Sequence, residues 1–155
     1  MNELVYRNLS DEVKRQICAW KYDGEYGLYN LPAYEEMKAR QIGFLNPKSQ
    51  NNYYGFWDES VLVGFVNILE EEKEVFIGIG VNPDLCGKYY GQRILLKAYE
   101  ISKKLYPNKP LYLEVRTWNT RAVKCYENAG FRIDGQAYEL TTEIGTGTFY
   151  RMIKE

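Results

Sequence analysis

EVFIGIGVNPDLCGKYYGQRILL, residues 74–96, joins an alternating apolar run to a glycine-bearing turn and then to a helical pattern. Val75, Ile77, Ile79 and Val81 fall on one face of an extended strand, and Phe76, Gly78, Gly80 and Asn82 on the other, the period of two that defines a strand. Two glycines on one face predict that something approaches the backbone closely there. From Gly91 onward Ile94, Leu95, Ala98, Ile101 and Leu105 keep helical spacing, and Pro107 stops that helix. Between strand and helix lies Cys86-Gly87-Lys88-Tyr89-Tyr90-Gly91. A helix start exposes unpaired N–H groups and a partial positive charge, which suits phosphate oxygens. Gly87 and Gly91 let a backbone come close, and Lys88 and Arg93 add charge. No Gly-Lys-Ser/Thr follows, so this is not a Walker turn. An ordinary strand-to-helix turn accounts for the same residues.

Downstream, LYLEVR (111–116) reads as a strand, and Asn119 opens a shorter helix through Ala122, Tyr126 and Ala129 that Gly130 closes. Strand, turn, helix, strand and helix over residues 74–129 make a βαβ unit, which places at least two strands parallel. The tail, 131–155, reads as a hairpin turning at Gly145-Thr146-Gly147. Upstream, YYGFWD and VLVGFVNIL are separated by Glu59-Ser60, a hairpin signal. A first strand lies near residues 4–8. Ser10 then caps a helix through Val13, Ile17 and Trp20, and a second helix follows Pro32 to about Arg40. Residues 21–31 and GFLNPKSQNN read as loops. The expected fold is α/β (α+β): a mixed, mostly antiparallel sheet of about seven strands around a parallel βαβ core, with helices on both faces. With 155 residues, residues 1–155 are expected to form one domain.

Composition narrows the chemistry. There is no histidine, so Ser-His and Cys-His nucleophile pairs are excluded, zinc has few ligands to choose from, and no metal site is expected. Three widely spaced cysteines, Cys18, Cys86 and Cys125, argue against a disulfide framework and for a reduced, cytoplasmic setting. MNELVYRNLS lacks a basic-then-apolar leader, and no run is long and apolar enough to span a bilayer, so no membrane partner is expected. The net charge of −1 predicts no strong nucleic-acid binding. Charge is uneven along the chain: residues 1–80 hold 8 Lys and Arg against 13 Asp and Glu, and residues 81–155 hold 12 against 8. A basic second half suits an anion, and an acidic first half suits a cation.

Glu114 is the outlying residue of LYLEVR. Leu111, Leu113 and Val115 point one way, and Tyr112, Glu114 and Arg116 the other. A carboxylate in a central strand is uncommon and needs a partner, for which Arg116 on the same face is expected. An ion pair explains Glu114 structurally, and a general base explains it functionally. Asn119 is explained by helix capping alone, and Tyr126 by core packing alone.

IGIGVNPDLCGKYYGQRILL together with LEVRTWNTRAVKCYENAGF resembles the GNAT superfamily of N-acetyltransferases. That family holds acetyl-CoA on a Q/R-x-x-G-x-G/A turn after a strand ending V-x-P, matched here by Val81-Asn82-Pro83 and the turn 86–91. Its N-x-x-A-x-x-x-Y-x-x-x-G-F block is met by Asn119, Ala122, Tyr126, Gly130 and Phe131. The spacing of Glu114 and Tyr126 is similar to that in acetyltransferases of ribosomal-protein N-termini. The likeness covers residues 61–155 well and the first third poorly. It departs from the family at Cys86, in place of Gln or Arg, and at Tyr89, in place of the middle glycine. A tyrosine there disfavours the left-handed backbone that glycine adopts freely.

The resemblance implies that acetyl-CoA is the cosubstrate and that no metal takes part. It implies cofactor contacts from Ile79, Gly80, Val81, Gly87, Lys88, Tyr89, Tyr90, Gly91, Gln92 and Asn119. It assigns Glu114 as general base and Tyr126 as the phenol beside the leaving sulfur, with backbone N–H groups near Val81 meeting the oxyanion. Gly78 and Gly80 would leave room for pantetheine or substrate. The acceptor would be a small amine or a protein N-terminus, taken by direct transfer. Tyr22, Tyr26, Tyr29 and Tyr34, among Asp23, Glu25, Glu35 and Glu36, suit a cationic amine or a packing surface equally well. A homodimer, with the C-terminal hairpin adding to a partner's sheet, is a further expectation. The alternatives are an acyl-CoA-sensing module of the same fold and, more remotely, a nucleotide-binding protein.

Overall fold

The computed structural model describes residues 3–155. The strands are β1 (Val5–Asn8), β2 (Tyr53–Asp58), β3 (Val61–Glu70), β4 (Val75–Val81), β5 (Leu111–Arg116), β6 (Arg132–Ile133), β7 (Tyr138–Thr142) and β8 (Gly145–Lys154). The helices are α1 (Asp11–Cys18), α2 (Tyr34–Arg40), α3 (Tyr90–Leu105) and α4 (Thr120–Asn128). The strands form one sheet in the order β1-β2-β3-β4-β5-β8-β6, with β7 also paired to β8. β4 and β5 are parallel through Val75–Leu111 and Phe76–Tyr112. The pairs β1–β2, β2–β3, β5–β8, β6–β8 and β7–β8 are antiparallel. Among the described residues the sheet thus has eight strands where the pattern suggests about seven, because β6 is too short for periodicity to reveal. No helix among the described residues is long and apolar enough to cross a membrane.

The chain divides into two compact units: one runs through Asn67 and includes Ile79–Tyr90, and the other comprises Ile68–Gly78 and Gly91–Glu155. In the first, Ser10 accepts the Val13 amide at 3.2 Å and starts α1, with Asp11 and Glu12 in the first turn favouring the helix dipole. The inward face of α1 delivers Ile17 and Cys18 to a core of Leu9, Tyr34, Met37, Phe44, Trp57 and Leu62. Phe44 lies edge-on to Tyr53 and Phe65, with ring centroids 5.7 and 6.0 Å away. The chain reaches Phe44 through Gly43, which adopts φ +57°. β2 and β3 turn at Glu59-Ser60 as the sequence predicts, with Asp58 opposite Val61.

In the second unit, α3 buries Ile94, Leu95, Ala98, Ile101 and Ser102. Leu105, expected inside, lies at the helix end and is half exposed. Asn119 accepts the Ala122 amide at 3.2 Å and caps α4. The tail hairpin turns at Glu143-Ile144, two residues before the predicted Gly145-Thr146-Gly147, because Thr142 pairs with Gly145 and Thr141 with Thr146. Gly145 supplies φ +112° just after the turn. Gly147 serves packing instead: a Cβ there would collide with the Arg116 guanidinium.

Candidate active site

The first unit carries the strand end and the turn. β4 finishes at Val81, and Asn82 anchors the turn beyond it. Its amide donates to the Val63 carbonyl at 2.9 Å, and its side chain donates to the Leu62 carbonyl at 3.1 Å and accepts from the Asp84 amide at 3.0 Å. The chain then makes a single 3-10 turn over Pro83–Leu85 and enters α3 at Tyr90. Gly87 has φ +82° and Tyr89 φ +67°. The tyrosine therefore adopts the left-handed backbone that its Cβ opposes. The sequence-based expectation that Tyr89 would resist that conformation is corrected: the turn imposes it. Non-glycine residues in this region are uncommon, cost about 1–2 kcal/mol, and concentrate at functional sites. The residue is 75% exposed, so its side chain does not fill the turn. At Gly87 a Cβ would meet nothing within 4 Å, so the turn is open to an incoming group.

The strained backbone has a measurable consequence. Since the Tyr89 side chain lies mostly in solvent, its removal should cost little, and the backbone term should dominate. Tyr89→Gly is expected to be more stable than Tyr89→Ala by about 1 kcal/mol in urea unfolding. An alanine variant as stable as the glycine variant would show that this residue is not left-handed in solution.

Two contacts tie the turn and the strand end to neighbours. The Tyr90 hydroxyl donates to Asp58 Oδ2 at 2.6 Å, beside an open cavity of about 430 Å³ lined by Asp58, Glu59, Val61, Leu85 and Tyr90. The Tyr22 hydroxyl donates to the Val81 carbonyl at 2.7 Å, bringing the segment between α1 and α2 to the end of β4. Gly80 corrects the reading of the strand's two-glycine face. The group that approaches it is the Phe65 ring, which a Cβ would strike, so that space is taken by the protein itself. Of the tyrosine-rich segment, Tyr22, Tyr26 and Tyr29 are half-buried. Tyr34 belongs to the core; its hydroxyl donates to Asp11 at 2.6 Å and its ring lies under the Arg15 guanidinium at 3.8 Å. That hydrogen bond holds the Asp11 carboxyl below its ordinary range.

The second unit carries Glu114, Asn119, Tyr126, Gly91 and Gln92. Glu114 is half-buried on β5. Its partner is not Arg116 but Tyr138 of β7, whose hydroxyl donates to Glu114 Oε2 at 2.5 Å. Burial first, and then this carboxylate, push the Tyr138 phenol well above its ordinary range. Arg151, directly across from Glu114 in the β5–β8 register, is occupied elsewhere. It grips Glu74 through both terminal nitrogens, bonds Asp134 at 3.1 Å, and lies over the Tyr112 ring at 4.3 Å. Arg116 stacks on Phe149, its guanidinium carbon 4.8 Å from the ring centroid. Asn119 is buried at the start of α4, and Tyr126 is half-buried one turn after Ala122. Tyr138 and Asp58 escaped the sequence reading, as did the contact that Tyr22 makes with Val81. Each of these contacts spans 24 or more residues, and no local spacing signals that.

The profile of the acetyltransferase (GNAT) family matches residues 14–131. Among solved structures, a GNAT-family acetyltransferase from Bacillus anthracis superimposes with a TM-score of 0.80 at 15% identity, covering 99% of this chain and 95% of its own. The spermidine N-acetyltransferase of Vibrio cholerae, solved with CoA and spermine, gives 0.76 at 20% identity, covering 98% and 95%. The ribosomal-protein alanine N-acetyltransferase of Escherichia coli gives 0.66 at 19%, covering 97% and 92%. At these identities the likeness is one of fold. No curated protein sequence matches the chain.

Proposed function

This chain belongs to the acetyltransferase (GNAT) family, and from that premise we propose that it moves an acetyl group from acetyl-CoA directly to a primary amine, either a small amine or a protein N-terminus. The observation that carries the reading is the turn after β4, where Gly87 and Tyr89 both hold the left-handed backbone although only one is glycine. A fold that keeps a strained tyrosine in that conformation is preserving the line of the backbone rather than the residue. Amides from Gly87 to Gly91 and the start of α3 would then hold the diphosphate, with Lys88 adding charge. Ile79, Gly80, Val81, Gln92 and Asn119 are the further cofactor contacts assigned by family resemblance.

Acetyl-CoA supplies the acyl group as a thioester. Amide formation needs a neutral amine, whereas alkylamines have a pKa of about 10 and α-amines about 8. Glu114 accepts the proton that the attacking nitrogen loses as the N–C bond forms. Tyr126 donates a proton to the sulfur as the C–S bond breaks, so the products are the amide and the free thiol. The Val81 amide would meet the oxyanion. Without histidine, direct transfer needs no covalent enzyme intermediate. Structural neighbours that act on polyamines and on a protein N-terminus support an amine acceptor.

The test is thiol release from acetyl-CoA against a panel of polyamines, alkylamines, amino acids and peptides with free N-termini. Amine-dependent release is expected. Tight acetyl-CoA binding without transfer to any member would overturn it in favour of an acyl-CoA sensor. A melting shift with ATP and none with acetyl-CoA would overturn it in favour of a nucleotide-binding protein.

A further inference from the structure

Arg116 is 6% exposed, and among the described residues no hydrogen bond or ion pair engages its guanidinium. Nη2 is sealed from solvent without a partner. The group lies close against Gly147, where a Cβ would strike it, and over the Phe149 ring. Both neighbours leave the charge uncompensated apart from the ring's weak attraction. Arg151, in the same unit, makes the contrast: its less buried side chain has two carboxylates. Burying a cation without a counter-ion costs several kcal/mol. The carboxylate nearest along β5, Glu114, is held by Tyr138. A buried, unpartnered guanidinium is a group that an anion arriving with a ligand would satisfy.

The planar fork of arginine matches a carboxylate in a two-bond geometry. Arg116 and Glu114 share one face of β5 and stand two residues apart, about 6.6 Å along the strand. If Glu114 takes the amine, as in the acyl transfer proposed above on which this inference rests, the anion at Arg116 lies a few bonds from that nitrogen. We propose that the acceptor is an amine that also carries a carboxylate, in the manner of an amino acid, and that Arg116 binds this carboxylate and sets acceptor specificity. Arg116 takes no part in the bond changes.

The test pairs ω-amino acids, from glycine to 6-aminohexanoate, with the alkylamine of the same length. The wild-type protein should prefer at least one amino acid over its alkylamine. In Arg116→Gln the ratio of the two kcat/KM values should fall roughly 10- to 100-fold, with Arg116→Lys between. A merely structural arginine would depress both acceptors together and leave the ratio in place; a ratio moved by less than about threefold in Arg116→Gln overturns the proposal. So does a wild-type preference for every alkylamine. Should Arg116→Gln not fold, thermal melting of the wild-type protein decides: the preferred amino acid should raise the melting temperature and its alkylamine should not, and equal shifts overturn the proposal. Weakened binding of coenzyme A to Arg116→Gln, with dephospho-coenzyme A unaffected, would overturn it by assigning the anion to a phosphate. Because the melting arm needs no turnover, absence of transfer to every amine would sink the acyl-transfer reading while this binding test still stood.

Discussion

Glu114→Gln is expected to lower kcat about 10²- to 10⁴-fold, the range contributed by a positioned proton acceptor. The amide keeps the shape of the carboxylate and can still receive the Tyr138 hydroxyl, which donates to Glu114 Oε2 at 2.5 Å. What it loses is the capacity to take a proton. The defect should therefore depend on the acceptor. An alkylamine is almost wholly protonated at neutral pH and needs the base, whereas an amine with a pKa well below the assay pH arrives neutral and loses its proton more readily in the transition state. Steady-state rates across amines of graded pKa should show the deficit shrinking as acceptor pKa falls. A variant that retained kcat within about threefold for alkylamines would remove Glu114 from the chemistry and leave it a strand residue satisfied by a tyrosine.

Phe44→Ala should cost about 3–5 kcal/mol of stability and about 10 °C of melting temperature. Phe44 is 1% exposed and stands edge-on between Tyr53 and Phe65, so truncation removes both the burial and two favourable ring geometries. The cavity would open in the middle of the first unit, where Met37 and Ile17 are already fixed by their helices. Phe44→Leu should lose far less, under about 1.5 kcal/mol, because most of the volume is kept. Chemical and thermal denaturation of the pair measures this; an alanine variant within about 1 kcal/mol of the parent would mean that the ring is not the keystone of that core.

How much of this could be read beforehand depended on whether a signal was local. The alternation in β4, the stripe Ile94, Leu95, Ala98 and Ile101 in α3, and the caps Ser10 and Asn119 all express neighbours in sequence, and they were legible. Partners across the sheet were not. Arg116 looked like the partner of Glu114 because both face the same way, but strand register brought Tyr138 to Glu114 and committed Arg151 to Glu74 and Asp134. Glycines misled in an instructive way. Gly147 reads as a turn residue and is in fact small to make room for a guanidinium, while Gly80 reads as space for a ligand and is covered by Phe65. Tyr89 misled in the other direction: a side chain that argues against a left-handed backbone was overruled by the turn around it. The positions of the proposed catalytic and cofactor residues were legible only as a motif, since neither burial nor hydrogen bonding can be read from spacing.

β8 follows the other described strands in sequence, yet it lies between β5 on one side and β6 and β7 on the other. During synthesis the edge of β5 that will meet it must wait, unpaired, until residues 145–154 have cleared the ribosome. Over that interval an apolar strand carrying Leu111, Leu113 and Val115 is open to pairing with other nascent chains. The second unit therefore closes only after β8 has emerged, and its yield in the cell should depend on chaperone supply more than its final stability would suggest.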